Sequence, residues 1–321
     1  MTSPAPAWVI GSGGLLGRQV AARLESAGRP VLRSRVPWHD PGAARATLRE
    51  GLEQLADLAA GGPWDVAWCA GAGVVATSPQ QLEGELDVFT GFLADLAGHR
   101  LDGGAGAFFL ASSAGGLYAG SSPPPFDEST EPRPLGTYGH TKLAMEQRLV
   151  EAAQRTEMPA LLGRFANLFG PGQRLDKAQG LVTQVCRAAI TGQPMSVYVS
   201  LDTRRDYLVV TDAAAMATTG LAGLRDRART SGELVTVKVL ASGISHTIGD
   251  VLAQSRRILR RRPPVLVATS DLARVQARDL RLRSMTWPEL DHLARTPFAV
   301  GVAMTAHDLE ARMRAPRQEV S

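Results

Sequence analysis

The sequence predicts an α/β fold, a doubly wound parallel sheet with a smaller C-terminal substrate-binding lobe. Short apolar runs alternate with longer segments of helical periodicity from about residue 8 to residue 165. A strand, a glycine-rich turn and a helix open this series in WVIGSGGLLGRQVAARLESAG. The chain has 321 residues, 44% of them hydrophobic and 21% charged, which suits one large soluble domain or two joined lobes.

The glycine-rich turn indicates a dinucleotide-binding site. A short apolar strand ends before Gly11, Gly14 and Gly17 follow, and Leu15 and Leu16 begin the helix. Glycines at these positions let the backbone turn tightly and approach a pyrophosphate, while the N–H groups at the helix start bind the anion. A turn that only reverses the chain is the alternative. The strand and helix on either side favour a Rossmann-type site.

The second strand bears on which dinucleotide binds. It runs from Val31 to Arg35, and the usual acidic residue for the ribose hydroxyls is replaced by Arg35, after Arg33 and Ser34. A guanidinium matches a 2′-phosphate better than a ribose diol, so these residues favour NADP over NAD, although NAD stays possible. The alternative is a surface arginine in a chain rich in arginine.

Further strands and helices follow in alternation. The pattern predicts a poorly defined third strand near 36–38, a helix over 43–60, a strand over 65–70, a helix over 82–96 and a strand over 107–110. The strand over 65–70 leads into Ala70, Gly71 and Ala72. Because these residues are small, we expect the cofactor to approach their backbone closely.

A serine follows the last of these strands. The apolar run over 107–110 continues into Ser112 and Ser113. In open α/β sheets, ligands bind outside the carboxyl ends of the strands, so the hydroxyl of Ser113 is placed for chemistry. A serine that only forms a turn is the alternative.

A tyrosine and a lysine lie four residues apart in TYGHTK. With Met145 and Leu149, Tyr138 and Lys142 follow the spacing of one helical face, so the phenol and the ammonium project to the same side. A fixed cation stabilises the phenolate form and so favours proton transfer near neutral pH. The alternative is an amphipathic helix in which both side chains lie at the surface.

Five segments in the same order resemble an extended short-chain dehydrogenase/reductase of the NAD-dependent epimerase/dehydratase family, whose members modify nucleotide sugars. The resemblance covers most of the chain. Its segments are GSGGLLG, ASSAGGLY, TYGHTKLAMEQ, GRFANLFGPGQ and RRDYLVVTDAA.

The resemblance implies a catalytic role for three residues. Tyr138 would exchange a proton with a substrate hydroxyl or carbonyl, and Ser113 would hydrogen-bond the same oxygen. Lys142 would hold the nicotinamide ribose and stabilise the phenolate. Hydride would move to or from the nicotinamide, with both Tyr138 and Lys142 also contacting the cofactor.

The same resemblance implies a substrate-binding role for Asn167 and Arg205, which would contact the diphosphate of a nucleotide sugar. An amide and a planar cation suit that anion. The structural alternatives are that Asn167 caps a turn and that Arg205 pairs with Asp206.

Departures from the family pattern exclude some reactions. Ala114 and two glycines follow Ser113, so the carboxylate pair of the 4,6-dehydratases is missing. The serine segment also lacks the cysteine of the epimerase-reductases that invert two carbons. Hydride transfer at one carbon remains, as a 4-ketoreductase or a 4-epimerase. A non-catalytic dinucleotide-binding regulator and a reductase of a non-sugar carbonyl are the alternatives, and Asp87 in place of the usual Asn leaves the substrate open.

Domain limits follow from the same pattern. We expect residues 1–165 to form the dinucleotide-binding domain, with 207–242 returning to it. Residues 166–206 and 243–312 would form the substrate-binding lobe, and 313–321 a polar tail. By resemblance, helices over 82–96 and 138–153 would form the contact of a homodimer.

Composition bounds the partners. The net charge is +4, but the arginine run over 256–262 has no interleaved aromatic residue to stack bases, so nucleic acid is not an expected partner. No apolar run is long enough for a membrane span, no signal peptide is recognisable, and no cluster has metal-ligand spacing. We expect a cytoplasmic protein without a metal.

Overall fold

The computed structural model describes residues 4–71, 77–99, 101, 105–174, 180–268 and 277–314. Its main sheet contains β1 (Ala7–Ile10), β2 (Val31–Ser34), β3 (Trp64–Trp68), β4 (Gly106–Ser113), β5 (Ala160–Phe165) and β9 (Val235–Leu240). The order is β2-β1-β3-β4-β5-β9, and every pair is parallel. The strand order reverses beside β1, as in a doubly wound sheet, and the predicted fold class is confirmed.

Helices cover both faces of this sheet. They are α1 (Leu15–Ser26), α2 (Pro41–Ala59), α3 (Pro79–Gly98), α5 (Thr137–Thr156) and α7 (Val210–Ser231), with the short α4 (Ala114–Leu117) after β4. α1 and α7 pack together on one face, and α2, α3 and α5 pack on the other. Each face therefore has its own apolar core, and the central strands β1, β3, β4 and β5 are buried between them, whereas the edge strand β2 is partly exposed.

Two helices begin at caps that the sequence carries. The carboxylate of Asp40 accepts a hydrogen bond from the backbone N–H of Ala43 at 3.0 Å, and proline occupies the first position of α2. The hydroxyl of Ser78 accepts from the N–H of Gln81 at 3.4 Å, again with proline next in the chain. These caps start α2 and α3 earlier than apolar periodicity alone predicts.

The smaller lobe is built around a second sheet. It contains β6 (Asn167–Phe169), β8 (Arg204–Val209), β10 (Ser245–Thr247) and β12 (Asp279–Leu280), and β8 pairs with the other three. A separate parallel pair joins β7 (Met195–Val197) and β11 (Val265–Val267). The helices of this lobe are α6 (Leu181–Thr191), α8 (Ile248–Leu259) and α9 (Phe298–Arg314), which pack on one another.

The predicted third strand near residues 36–38 was wrong. The chain there forms no strand, and the third strand of the sheet is β3. Pro37 lacks a backbone N–H and so cannot donate to a ladder, although its two neighbours are apolar.

The segment 207–242 returns to the main sheet only in part. α7 and β9 do so, but β8 pairs with β6 and β10 in the second sheet. β9 pairs with β5 along its full length, so the position beside β5 is already filled. The predicted return of the segment near residue 207 is therefore corrected.

A buried ion pair connects the chain after β12 to β9, the edge strand of the main sheet. Lys238 of β9 is completely buried, and its ammonium lies 2.5 Å from a carboxylate oxygen of Asp291 in a short 3-10 helix (Pro288–Leu293). The Lys238 ammonium also donates to Ser284. Within the described ranges, no helix has both the length and the apolar character that crossing a bilayer requires.

Two helix glycines test how tightly α2 packs on the sheet. A Cβ built at Gly51 in α2 would lie 2.2 Å from the indole of the buried Trp8, whereas a Cβ at Gly84 in α3 would meet nothing within 4 Å. We predict that Gly51→Ala lowers the free energy of unfolding by about 1–3 kcal/mol through overpacking. Gly84→Ala should raise it by about 0.5–1 kcal/mol, since alanine loses less backbone entropy in a helix.

Urea denaturation followed by circular dichroism measures both changes, and Gly84→Ala is the matched control. Equal effects of the two substitutions would contradict the described contact between α2 and Trp8.

Candidate active site

The glycine-rich turn lies at the carboxyl end of β1 and packs against the end of β3. Gly11 has φ +87°, and a Cβ there would lie 2.5 Å from the backbone nitrogen of Ala70. A Cβ at Gly17 would lie 2.2 Å from the carbonyl oxygen of Gly11. Larger residues would separate β1, α1 and β3, so these glycines shape the site that the sequence predicts.

The start of α1 fits an anionic group. Gly14 is the N-cap, no side chain caps the helix, and its first turn has no acidic residue. The helix N-terminus carries partial positive charge, and its free N–H groups can donate hydrogen bonds to the oxygens of a pyrophosphate. The backbone of Leu15, Leu16 and Gly17 forms the first turn of this helix, where the cofactor is expected to bind.

The three residues predicted to select the cofactor differ in their contacts. Arg33 binds Glu25 through two hydrogen bonds of 2.9 and 2.8 Å. The hydroxyl of Ser34 accepts from the indole N–H of Trp8 at 3.0 Å. Arg35 is exposed and has no hydrogen bond or ion pair to any residue that the structure describes. Arg35 is therefore the guanidinium of this segment that remains available to a ligand.

Ser113 ends β4 and caps α4. Its hydroxyl oxygen accepts from the backbone N–H of Gly116 at 3.2 Å. The hydroxyl hydrogen remains available to donate, because this contact uses only an acceptor position. The cap therefore holds Ser113 at the edge of the sheet while leaving its donor function.

Tyr138 reaches the serine segment because two glycines let α4 and α5 touch. A Cβ at Gly139 would lie 2.3 Å from the carbonyl oxygen of Gly116, and a Cβ at Gly116 would lie 3.0 Å from the ring of Tyr138. α5 begins at Thr137, so the half-buried Tyr138 stands in its first turn. The structure thus brings Ser113 and Tyr138 to neighbouring helices at one edge of the sheet.

Lys142 follows one turn later and is buried beside a carboxylate. Its Nζ lies 3.1 Å from Oε1 of Glu85 in α3, and 6.0 Å from the centre of the Tyr138 ring. Burial lowers the pKa of Lys142, but the Glu85 carboxylate opposes this more strongly together with Tyr138 and Glu146, so that the pKa is raised overall. Lys142 is therefore an ammonium at neutral pH.

Gly71 covers this ion pair at the end of β3. A Cβ there would lie 3.1 Å from Nζ of Lys142 and 3.4 Å from the Glu85 carboxylate. The predicted cofactor contacts Ala70 and Gly71 thus lie beside the predicted catalytic lysine. Ala72, predicted for the same turn, lies outside the described residues.

The two predicted substrate residues lie in the second sheet, close to the serine segment. Asn167 is exposed and begins β6, and a Cβ at Gly115 would lie 3.9 Å from its side-chain oxygen and 3.6 Å from Leu280. Arg205 stands beside Leu280 in the pairing of β8 with β12. Asn167 and Arg205 therefore approach α4, the short helix after Ser113, from the smaller lobe.

Arg205 is a buried guanidinium without a carboxylate partner among the described residues. Only 7% of the residue is exposed, and its described hydrogen bond goes to the backbone carbonyl of Arg204 at 2.8 Å. Burial lowers the pKa of Arg205, with the nearby Tyr207 and Asp279 acting in the opposite direction. A desolvated cation of this kind is costly unless an anion joins it.

Arg205 does not pair with Asp206, which was the structural alternative for its role. Asp206 accepts hydrogen bonds from the N–H and the hydroxyl of Ser242, both at 2.9 Å, and forms no ion pair with Arg205. Successive side chains of a strand point to opposite faces, which keeps the two groups apart. Burial raises the pKa of Asp206 to about 6, against the hydrogen bonds from the Ser242 segment.

The sequence interpretation missed Glu85. The signal was present, because Glu85 stands three residues after Leu82 and four before Phe89, on the apolar face of a predicted helix. A lone carboxylate on such a face requires a buried partner. The long separation of α3 and α5 in sequence concealed that this partner is Lys142.

Comparisons with known proteins agree with the family that the sequence segments resemble. The sequence profile of the NAD dependent epimerase/dehydratase family matches residues 7–226. The chain is 30% identical over 146 residues to a dTDP-4-dehydro-6-deoxyglucose reductase of Escherichia coli, covering 44% of this chain and 46% of that protein. It is 35% identical over 88 residues to a dTDP-L-rhamnose 4-epimerase of Burkholderia thailandensis, covering 27% of this chain and 24% of that protein. These matches thus span less than half of either relative.

Solved structures share the fold over nearly the whole chain. A UDP-glucose 4-epimerase of Thermus thermophilus, solved with NAD, is 19% identical with a TM-score of 0.77, over 95% of this chain and 99% of that one. An epimerase of Methanothermobacter thermautotrophicus is 19% identical with a TM-score of 0.80, over 97% and 94%. With the family profile covering more than half of its length, the chain belongs to the NAD dependent epimerase/dehydratase family.

Proposed function

We propose that this protein is an NADP-dependent oxidoreductase that transfers hydride at one carbon of a nucleotide sugar, as a 4-ketoreductase or a 4-epimerase. The observation that carries the substrate class is Arg205, buried at the site without a carboxylate partner in the described part of the chain. A diphosphate supplies the negative charge that this guanidinium lacks, and Asn167 adds an amide donor beside it.

The chemistry follows from three side chains. When bound, the nicotinamide supplies or accepts the hydride at the substrate carbon. Tyr138 gives a proton from its hydroxyl to the carbonyl oxygen during reduction and takes it back during oxidation. Ser113 donates a hydrogen bond to the same oxygen, and the Lys142 ammonium stabilises the phenolate left on Tyr138.

Other reactions are less well supported. The residues after Ser113 are Ala114, Gly115 and Gly116, so no carboxylate stands there to eliminate water. Both curated relatives named above act at carbon 4 by their names, one as a reductase and one as an epimerase. A non-catalytic regulator and a reductase of non-sugar carbonyls are less favoured. Ser113, Tyr138 and Lys142 stand on neighbouring elements at one edge of the main sheet. Arg205 approaches the same edge from the second sheet, beside Leu280, which lies near Gly115.

The cofactor preference rests on Arg35. Its guanidinium has no partner among the described residues, whereas Arg33 is held by Glu25. A 2′-phosphate would give Arg35 a dianionic partner, and NAD would not. A structure of the same fold was solved with NAD. The fold itself therefore does not require NADP, and the proposed preference rests on Arg35 alone.

Assembly, location and lobe roles remain predictions. We expect a cytoplasmic homodimer that pairs through α3 and α5. We also expect the cofactor to bind the main sheet and the nucleotide sugar to bind the lobe that contains β6, β8 and β10.

Arg205 provides the test of the substrate class. We predict that wild-type protein binds dTDP or UDP and that Arg205→Met weakens the better of the two by about 10- to 100-fold, the size of a lost charge-assisted contact. Isothermal titration calorimetry measures this affinity. The ligand-free Arg205→Met protein should be at least as stable as wild type, because methionine removes a desolvated charge and keeps the volume.

Arg204→Met is the matched control, since its neighbour Arg204 is exposed on the same strand. Its affinity should change by less than about threefold, as expected for a screened surface charge. Absence of dTDP and UDP binding in the wild type would instead favour a non-sugar carbonyl substrate.

Arg35 provides the test of the cofactor. We predict that wild-type protein binds NADPH at least about tenfold more tightly than NADH, and that Arg35→Ala removes this difference by weakening NADPH alone. Quenching of tryptophan fluorescence gives both dissociation constants. Arg33→Ala is the control and should keep most of the preference; tighter binding of NADH by the wild type would contradict the proposal.

A further inference from the structure

The pair of Lys142 and Glu85 is unusual for its burial. The side chains are only 5% and 6% exposed, and their 3.1 Å contact joins α5 to α3. Around it, the two helices present apolar residues such as Phe89, Met145 and Leu149. Apolar side chains of similar volume would hold two helices together at least as well, because both charges lose their hydration. Packing alone therefore does not explain why a carboxylate stands at position 85.

The position of the pair relates it to the site. Nζ of Lys142 contacts Glu85 and lies 3.6 Å from the sulfur of Met145. A Cβ at Gly71 would lie 3.1 Å from Nζ, so only glycine leaves this side of the lysine uncrowded. Gly71 belongs to the turn after β3, and Tyr138 stands one helical turn before Lys142. Glu85 thus holds the side chain of Lys142 between Gly71, where the cofactor is expected to bind, and Tyr138.

The charges around Lys142 come from two helices. Glu85 faces it from α3, while Tyr138 and Glu146 face it from α5. Glu146 is already bound by Arg164 of β5, at 2.7 Å. Among the described residues, Glu85 is therefore the carboxylate in direct contact with the lysine, and it opposes the desolvation that favours a neutral amine.

We propose that Glu85 is a positioning residue for the reaction, which holds Lys142 in place as an ammonium so that Lys142 can stabilise the phenolate of Tyr138. This inference rests on the proposed function, since it assigns Glu85 a role at the same site. In this role Glu85 acts on the reaction through Lys142.

A purely structural ion pair would behave differently. Loss of a structural pair lowers stability and reduces activity by the same factor at every pH. Loss of a pair that keeps Lys142 charged removes activity selectively at high pH, because the neutral amine then forms within the working range. The pH dependence therefore separates the two roles.

Lysine titration tests the proposal directly. The chain has three lysines, Lys142, Lys177 and Lys238, so NMR of protein labelled at the lysine side chains gives few signals, and Lys142→Arg assigns one. In the cofactor-free full chain, we expect Glu85→Gln to lower the midpoint of the Lys142 titration by about one to three pH units. An unchanged midpoint would overturn the proposal.

Turnover gives the second readout. With NADPH and a 4-keto nucleotide sugar, Glu85→Gln should move the alkaline limb of the kcat profile to lower pH, with kcat reduced about tenfold or more at pH 9 and much less at pH 6. KM for the nucleotide sugar should change little, because Arg205 and Asn167 bind its diphosphate. A loss of equal size at both pH values would assign Glu85 to structure alone.

Two variants serve as controls. Glu85→Asp keeps the charge and should restore most of the titration midpoint and of the alkaline activity. Asp291→Asn breaks the other buried lysine pair, that of Lys238, and should lower stability without moving the Lys142 signal. The lysine titration needs neither cofactor nor substrate, so a wild-type protein that turns over no nucleotide sugar would refute the proposed function while leaving the effect on Lys142 measurable.

Discussion

The site depends on backbone contacts that no Cβ could share. Gly11 lies against Ala70, Gly17 lies against Gly11, and Gly139 lies against the carbonyl of Gly116. The first two contacts bring the glycine-rich turn onto the end of β3, and the third brings α5, which carries Tyr138, onto α4, which Ser113 caps. Because the strands are parallel, all of these segments leave the sheet at the same edge. Glycine at these few positions thus allows the turn after β1, α4 and α5 to pack closely at the candidate site.

The candidate site contains two buried cations, Lys142 on α5 and Arg205 on β8, and they differ in their counterions. Lys142 has its counterion within the protein, in Glu85, and this contact favours the ammonium form. Arg205 has no carboxylate partner within the described ranges and is desolvated, so a bound anion would stabilise it. The first arrangement suits a group that acts on every turnover, and the second suits a group that recognises an anion. This difference supports the separate roles proposed for the two lobes.

Sequence reasoning reached the local features of the site but not its long-range pairs. The turn at Gly11 and the start of the helix of Tyr138 were predicted to within a residue or two, because glycine spacing and helical periodicity are local properties. The partner of Lys142 was missed, since nothing local to α5 indicates Glu85. The strand at 204–209 was assigned to the wrong sheet for the same reason, because strand pairing is decided by which edge is still open. The availability of Arg35 relative to Arg33 likewise depended on Glu25, eight residues earlier than Arg33.

The central claim is that hydride transfer at one carbon is coupled to proton transfer by Tyr138. Mass spectrometry of the product formed from a dTDP- or UDP-linked 4-ketohexose and NADPH deuterated at the nicotinamide C4 position tests it most directly. The account predicts one deuterium on carbon 4 of the sugar with the wild type, and a rate lower by about 10²- to 10⁴-fold with Tyr138→Phe at unchanged cofactor affinity. Absence of deuterium transfer, or a Tyr138→Phe variant as fast as the wild type, would contradict it.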